Sequence, residues 1–296
     1  MTTVDLLRRV RLIELRALRL VQELASGPYG SIFRGRGLEF DEIRPYQPGD
    51  DVRSIDWHAT ARTGTVQIKK HVEERCQTLL LVVDVSASGD FGSVPQSKRE
   101  LAAELAAVLA MSAVMNHDRV GLLLFTDTVE RFIPPGAGRR HAMAVIAAVL
   151  GHTSRSRGTS IRRALNTVGQ ALRRRATVFV ISDFIDDDYQ RALRVVARQH
   201  DVVALRVADP AEWELPSMGW LVCEDAESGD VVEVQTDDPA FRHAFAVQRQ
   251  ERTEAFRQTC RQGGADALFC QTGALLYPPL LKFFEQRQRR RIRVGY

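Results

Sequence analysis

Cysteine is scarce in this chain: Cys76, Cys223, Cys260 and Cys270 are the only four in 296 residues, and no two form a C-x-x-C pair. Such scatter argues against a zinc site and against a disulfide framework, and it fits a reducing compartment. No apolar run reaches the ~20 residues needed to cross a bilayer. The stretch Leu101–Val114 is apolar but short, and Glu104 interrupts it. A signal peptide is not expected, because Arg8, Arg9, Arg11, Glu14, Arg16 and Arg19 break up the first hydrophobic residues. There is no P-loop and no G-x-G-x-x-G to cradle a nucleotide. A large charge excess is lacking too: the net charge is +4, which gives no sign of a nucleic-acid partner. The expectation is a cytoplasmic globular protein with no integral membrane segment.

What is present is a long α/β pattern. Leu6, Val10, Ile13, Ala17, Leu20, Val21 and Leu24 recur at helical spacing over residues 4–25, with arginines between them. A basic amphipathic helix can lie on a membrane or grip a partner, but docking on its own domain is the simpler expectation. Ser26, Gly27, Pro28 and Gly30 end it. Residues 31–75 are irregular and charged, with a turn at Pro48-Gly49-Asp50-Asp51 and a short strand at Thr65–Lys69. Acids and arginines alternate there (Glu39, Asp41, Glu42, Arg44, Asp50, Asp51, Arg53, Asp56, Arg62). Arginines clamping carboxylates explain that mixture, with Trp57 as a packing anchor. His58 and His71 have no partners at metal-ligand spacing.

From Thr78 the chain alternates. Strands are expected at 78–84, 120–125, 129–133, 177–184, 202–207 and 265–270, with Pro134-Pro135-Gly136 breaking the chain after the third. Helices are expected at 95–116, 139–150, 160–174, 188–199, 238–262 and 274–291. This is the rhythm of a mainly parallel sheet. Residues 211–236 interrupt it with a hairpin turning at Glu227-Ser228-Gly229-Asp230. The expected organisation is an N-terminal segment, 1–76, followed by an α/β domain, 77–296, carrying the hairpin as an insertion. The arginines at 287–293 read as a solvated helix end.

The first strand, TLLLVVDVSAS, ends in Asp84, with Ser86 and Ser88 following at alternate positions. Parallel sheets bind ligands beyond the carboxyl ends of their strands, and these are hard oxygen donors. Alone, the pattern is better explained as a turn or a helix cap. A second strand, TVFVISDF, also ends in acid, at Asp183, and the loop Arg157-Gly158-Thr159-Ser160 adds a hydroxyl before a helix.

Together these residues resemble the metal-ion-dependent adhesion site of von Willebrand factor A domains. That site is D-x-S-x-S after the first strand, a Thr after a Gly in a later loop, and an Asp closing the fourth strand. The matching positions are Asp84, Ser86, Ser88, Thr159 and Asp183. The resemblance implies a Rossmann-like, doubly wound sheet holding Mg²⁺ (or Mn²⁺ or Ca²⁺). In it the serines and Thr159 coordinate directly, the aspartates act partly through water, and one position stays open for a partner's carboxylate. Two departures stand out, Asp90 after the serines and Arg157 where glycine is frequent.

The stretch Gly35–Gly64 contains R-x-Y-x-P-G-D-D-x-R-x-I-D-W and is similar to the defining segment of the DUF58 family. That resemblance covers nearly the whole chain. It implies a protein of a family with no established enzymatic activity, often encoded beside a MoxR-type AAA+ ATPase and working with it, or with a client protein offering an acidic residue, in the assembly of complexes; the expectation is that it is not an enzyme. The expected function is a metal-dependent protein-interaction adaptor. The rivals are a scaffold with a vestigial metal site and a metal-dependent phosphohydrolase. A haloacid-dehalogenase-like site would need a second Asp where Ser86 stands and a lysine near Asp183, and the sequence places neither there.

Overall fold

The run Leu79–Val83 offers water no polar face, and it forms a central strand of a six-stranded sheet buried on both sides. The structure, a computed structural model, describes residues 3–26, 42–47, 50, 52, 55–70, 76–213 and 215–294. In chain order the elements are α1 (Thr3–Ser26), β1 (Glu42–Pro45), α2 (Trp57–Thr63), β2 (Gln67–Lys70), β3 (Thr78–Asp84), α3 (Lys98–Met115), β4 (Arg119–Phe125), β5 (Val129–Ala137) and α4 (Arg139–Leu150). Then come α5 (Ile161–Ala171), β6 (Thr177–Ser182), α6 (Gln190–Gln199), β7 (Asp201–Ala208), β8 (Trp220–Glu224), β9 (Val231–Gln235), α7 (Pro239–Gly263), β10 (Asp266–Gln271) and α8 (Tyr277–Val294).

The sheet order is β10-β7-β6-β3-β4-β5, parallel throughout except for β5. The chain leaves β3 toward β4 on one side and later lays β6 along the other. The strand order therefore reverses between β3 and β6, where an open α/β sheet parts to form a crevice. Side chains alternate across the sheet. Leu79, Leu81 and Val83 pack under α1, α3, α4 and α8, while Leu80 and Val82 pack under α5, α6 and α7. From Leu101 to Ala113 only Glu104 of α3 escapes full burial, because the sheet lies on one side and α1 and α4 on the other.

The basic N-terminal helix docks on its own domain. Val10, Ala17 and Val21 of α1 enter the main core, and Glu14 accepts from Arg139 Nε and Nη2 at 2.9 and 2.7 Å. Within the charged segment Arg44 holds Asp50 with two bonds, at 2.8 and 2.6 Å, as the expected clamp. Residues 35–41, Pro48, Gly49, Asp51, Arg53 and His71 lie outside the described residues, as do Gly27, Pro28 and Gly30.

Three expectations need correction. Trp57 is no anchor: it opens α2 and stands 69% exposed, and Ala59 is the residue that α2 buries. Pro134-Pro135-Gly136 does not break the chain, because β5 runs through it at the sheet's edge and its ladder with β4 slips at that point, so the missing N–H groups cost little pairing. The ladder shifts there opposite Gly121, whose added Cβ would lie 3.0 Å from Pro135, so only glycine fits without displacement. Lastly, Arg287 is not a solvated helix end, since it is largely buried and bridges Asp201 to Asp266 at the starts of β7 and β10.

Asp118, buried in the turn before β4, accepts from the Gln77 backbone N–H at 2.7 Å. Burial pushes its carboxyl from 3.8 up to about 6, against the pull of that bond and of His117. An acid with a raised folded pKa costs little while protonated in both states, and costs more as pH rises from the unfolded to the folded value. Asp118→Asn keeps the acceptor. It should be nearly neutral at pH 4 and stabilising by about 1–2 kcal/mol at pH 7.5, read from urea denaturation at both pH values. Equal effects at the two pH values would refute the desolvation.

Candidate functional site

Parallel strands finish at one rim, and at the β3/β6 crevice two of those ends carry acid. Asp84 closes β3 and Asp183 follows the last residue of β6; they are 9% and 6% exposed. Burying two neighbouring carboxylates is costly unless each is compensated, and the structure treats them differently.

Asp183 has a cation of its own. Its Oδ2 accepts from Lys98 Nζ at 2.9 Å, and its Oδ1 accepts from the Ile185 N–H at 3.1 Å. Lys98 begins α3, where the helix dipole disfavours a cation, and it is held by a second acid, Glu212, at 2.8 Å. Burial works against the ammonium, but Asp183 and Glu212 outweigh it and raise Lys98 above its ordinary value. Burial alone would push Asp183 up; Lys98 overrides it and holds the carboxyl below its usual range.

Asp84 has only neutral partners among its hydrogen bonds. Oδ1 accepts from the Ser86 N–H at 2.9 Å and Oδ2 from the Ser182 hydroxyl at 2.7 Å. Burial, and then the charge of Asp183, push it up to about 7 despite those bonds. A short 3₁₀ turn, Ala87–Asp90, brings the Ser86 and Ser88 hydroxyls 3.1 Å apart. Arg99 holds this loop by donating to the Val85 and Ser86 carbonyls, each at 3.2 Å. Asp90, one of the two departures, pairs with Arg99 at 2.5 Å, while Ser97 and Glu100 cap α3.

The threonine loop is tied to the same place by a bond from Ala87 N–H to Arg157 O at 3.0 Å. Thr159 does not point its hydrogen at either aspartate. It donates to Glu227 Oε1 at 2.7 Å, and Glu227 comes from the tip of the β8–β9 hairpin. Arg157, the other departure, holds the same tip through Ala226 O at 3.0 Å and Glu224 at 3.2 Å. Burial, with the charges of Asp183 and Asp225, raises the Glu227 carboxyl, and the bond from Thr159 opposes this.

The donors fit a hard divalent cation. Two ligands on adjacent corners of an octahedron with bonds of ~2.0–2.1 Å stand ~2.9 Å apart, close to the serine spacing. Lys98 already balances Asp183, whereas the charges acting on Asp84 and Glu227 include the neighbouring carboxylates. Ser86, Ser88 and Thr159 could bind directly, with Asp84 and Glu227 balancing the charge. Among the described residues, no three His, Cys, Asp or Glu side chains gather as a metal site. The constellation is hydroxyl-rich, as suits magnesium better than zinc.

Sequence reasoning passed over Lys98, Glu212, Ser182 and Glu227. The argument that no lysine stands near Asp183 fails in space, because Lys98 arrives from 85 positions away. Asp209 was also missed, although β7 ends in Ala-Asp much as β3 ends in Val-Asp. Its side chain is consumed by Ser93, Thr272 and the Ala211 N–H, so it ties loops together.

Residues 42–255 match the family described as "Protein of unknown function DUF58". An uncharacterized protein of Mycobacterium tuberculosis is 33% identical over 283 residues, covering 95% of this chain and 89% of that one. One from Mycobacterium bovis matches to the same extent. Among solved structures, the conserved hypothetical protein BatB from Bacteroides thetaiotaomicron is similar with a TM-score of 0.49 at 17% identity, covering 72% of this chain and 99% of that one. An aerotolerance-related membrane protein from Bacteroides fragilis gives a TM-score of 0.48 at 18% identity, with the same coverage. Among the described residues, no helix is long and apolar enough to cross a membrane.

Lys98→Met would leave Asp183 and Glu212 buried without their cation. It should lower stability by about 3–5 kcal/mol in urea denaturation. Adding Asp183→Asn to it should recover part of that loss, because the two side chains form one unit. Strict additivity would disprove the pairing.

Proposed function

The chain belongs to the DUF58 family, and from the chemistry of its sheet rim we propose that it is a divalent-metal-dependent docking protein, a binding module and not an enzyme. The observation that carries this reading is the convergence of Asp84, Ser86 and Ser88 with Asp183 at the β3/β6 crevice, beside the loop that holds Thr159. The reading takes the sheet as a von Willebrand factor A-type fold. The reversal of strand order at the acidic pair supports this, and the hairpin is then an insertion before the last helix–strand–helix unit.

Each residue has a part. Ser86, Ser88 and Thr159 supply neutral oxygens, Asp84 supplies negative charge, and Asp183 organises Lys98 and the turn at Ile185. A bound Mg²⁺, Mn²⁺ or Ca²⁺ would add an electrophilic point on the rim that attracts a carboxylate from another protein. Arg99 fixes the serine loop in advance, so little ordering is left for the moment of binding. The partner implied by the family resemblance is a MoxR-type AAA+ ATPase, or a client protein that the pair assembles or activates.

The Lys98–Asp183 pair favours a second reading, a scaffold that docks partners with no metal. A buried ammonium already balances one of the two acids, so the fold stands without a divalent ion. The same lysine meets one requirement of the phosphohydrolase reading, but Ser86 still stands where that chemistry needs a carboxylate.

Calorimetry separates these. With a MoxR-type ATPase as titrant, the chain should bind at least tenfold tighter in Mg²⁺ than in EDTA. Asp84→Ala should remove the difference while leaving the thermal midpoint unchanged or higher, since it deletes a buried acid with a raised pKa. Equal affinity in Mg²⁺, in EDTA and in the variant would support the metal-free scaffold and sink the metal-dependent one. Turnover of a generic phosphate ester that is lost in Asp84→Ala would overturn both.

A further inference from the structure

The β8–β9 hairpin is an arm that its own residues do little to hold down. Trp220, Val222, Val231 and Val232 remain 57–69% exposed. A two-stranded ribbon is marginal in water unless something supports it. Support comes at two places. At the base, Thr236 joins Met218 and Gly219 with bonds of 2.9 and 2.8 Å. At the tip, Arg157 and Thr159 hold Ala226, Glu224 and Glu227.

The tip is built to present a carboxylate. Asp225 accepts from the N–H groups of Glu227 and Ser228 at 2.9 and 2.8 Å, and the Gly229 N–H returns to Asp225 O at 2.8 Å. Gly229 has φ +80°, and a Cβ there would stand 3.7 Å from the Arg157 guanidinium, so the turn seats closely on the loop. Glu227 is then half-buried, donated to by Thr159, beside the negative charges of Asp183 and Asp225. A carboxylate that only braced a hairpin would be expected against a cation. Here it is aimed at a hydroxyl that belongs to the proposed docking set, on a rim that already carries acid.

From this placement we infer that Glu227 is an internal ligand: the hairpin tip fills in cis the position that a partner's carboxylate takes in trans. This rests on the docking reading above and adds its regulation. The ligand class follows from the occupant, a glutamate or aspartate displayed on a tight turn. Because the tip is tethered, its effective concentration is on the order of mM, and a partner must bring further contacts to lift it. Arg157 is the latch, holding the chain just before Glu227 through Glu224 and Ala226.

Amide hydrogen exchange on the full chain, in EDTA and in Mn²⁺, tests the clasp. In EDTA, Glu227→Ala should speed exchange across residues 220–235 at least tenfold, with β3 and β6 unchanged as the control for folding. In Mn²⁺ the wild-type hairpin should exchange more slowly than in EDTA, and the variant should show no such slowing. A synthetic peptide of residues 224–230 should bind Glu227→Ala at least tenfold tighter than wild type, because the tip no longer competes. If wild type binds no Mn²⁺, the metal-dependent reading fails, and the EDTA arm and the peptide still judge the clasp. If Mn²⁺ binds in an Asp84-dependent way but Glu227→Ala changes neither hairpin exchange nor peptide binding, the internal ligand is overturned and the docking reading stands. Faster exchange in Arg157→Ala but not in Glu227→Ala would also overturn it.

Discussion

Everything at the rim follows from one electrostatic constraint: two carboxylates stand buried at the ends of adjacent strands, Asp84 on β3 and Asp183 after β6. Two such charges cannot share a low-dielectric site without compensation. The fold answers for Asp183 by threading Lys98 into the first turn of α3. That choice in turn requires Glu212, because a lysine at a helix N-terminus faces the wrong end of the dipole. It also fixes the path of residues 91–97, which Asp209 pins to β7 and β10 through Ser93 and Thr272.

Asp84 is left on the other side of the balance. Its partners are a serine hydroxyl and a backbone N–H, which orient the carboxylate without neutralising it. Its raised pKa and that of Glu227 share their causes, burial first and neighbouring carboxylates after it, so this part of the rim holds acid that is both desolvated and beside like charge. A rim in that state attracts either a proton or a cation. Three hydroxyls at the same rim make a hard divalent cation the better match, and this is the physical basis of the docking reading. The hairpin adds the second half. A loop cation, Arg157, which stands where glycine is frequent in the resembling site, meets an acid of its own chain.

Much of the architecture was legible in the residues. Apolar runs such as Leu79–Val83 and Val178–Ile181 announce doubly covered parallel strands, and the spacing of Pro, Gly and Asp between them places the helices within a few positions. The failures have specific causes. Two consecutive prolines read as a break because the local rule ignores sheet position, and the edge location of β5 together with its ladder shift opposite Gly121 makes them tolerable. Trp57 read as an anchor because a large aromatic beside a cap suggests burial, whereas α2 turns its small face inward. Of the site, the D-x-S-x-S loop and Asp183 were readable as strand ends. Lys98, Glu212 and Glu227 carry no local signature at all.

By itself the sequence determined which strands build the main sheet, which of them end in oxygen donors, and that those ends would share one rim. These properties depend on short-range pattern and on the single polarity of a parallel sheet. The tertiary structure alone decided how the charge is balanced: that Lys98 belongs to Asp183, that Asp84 has no such partner among its bonds, and that Thr159 faces Glu227. Those pairings join residues 68 to 98 positions apart. Coulomb energy depends on distance in space, and no periodicity in the chain encodes it.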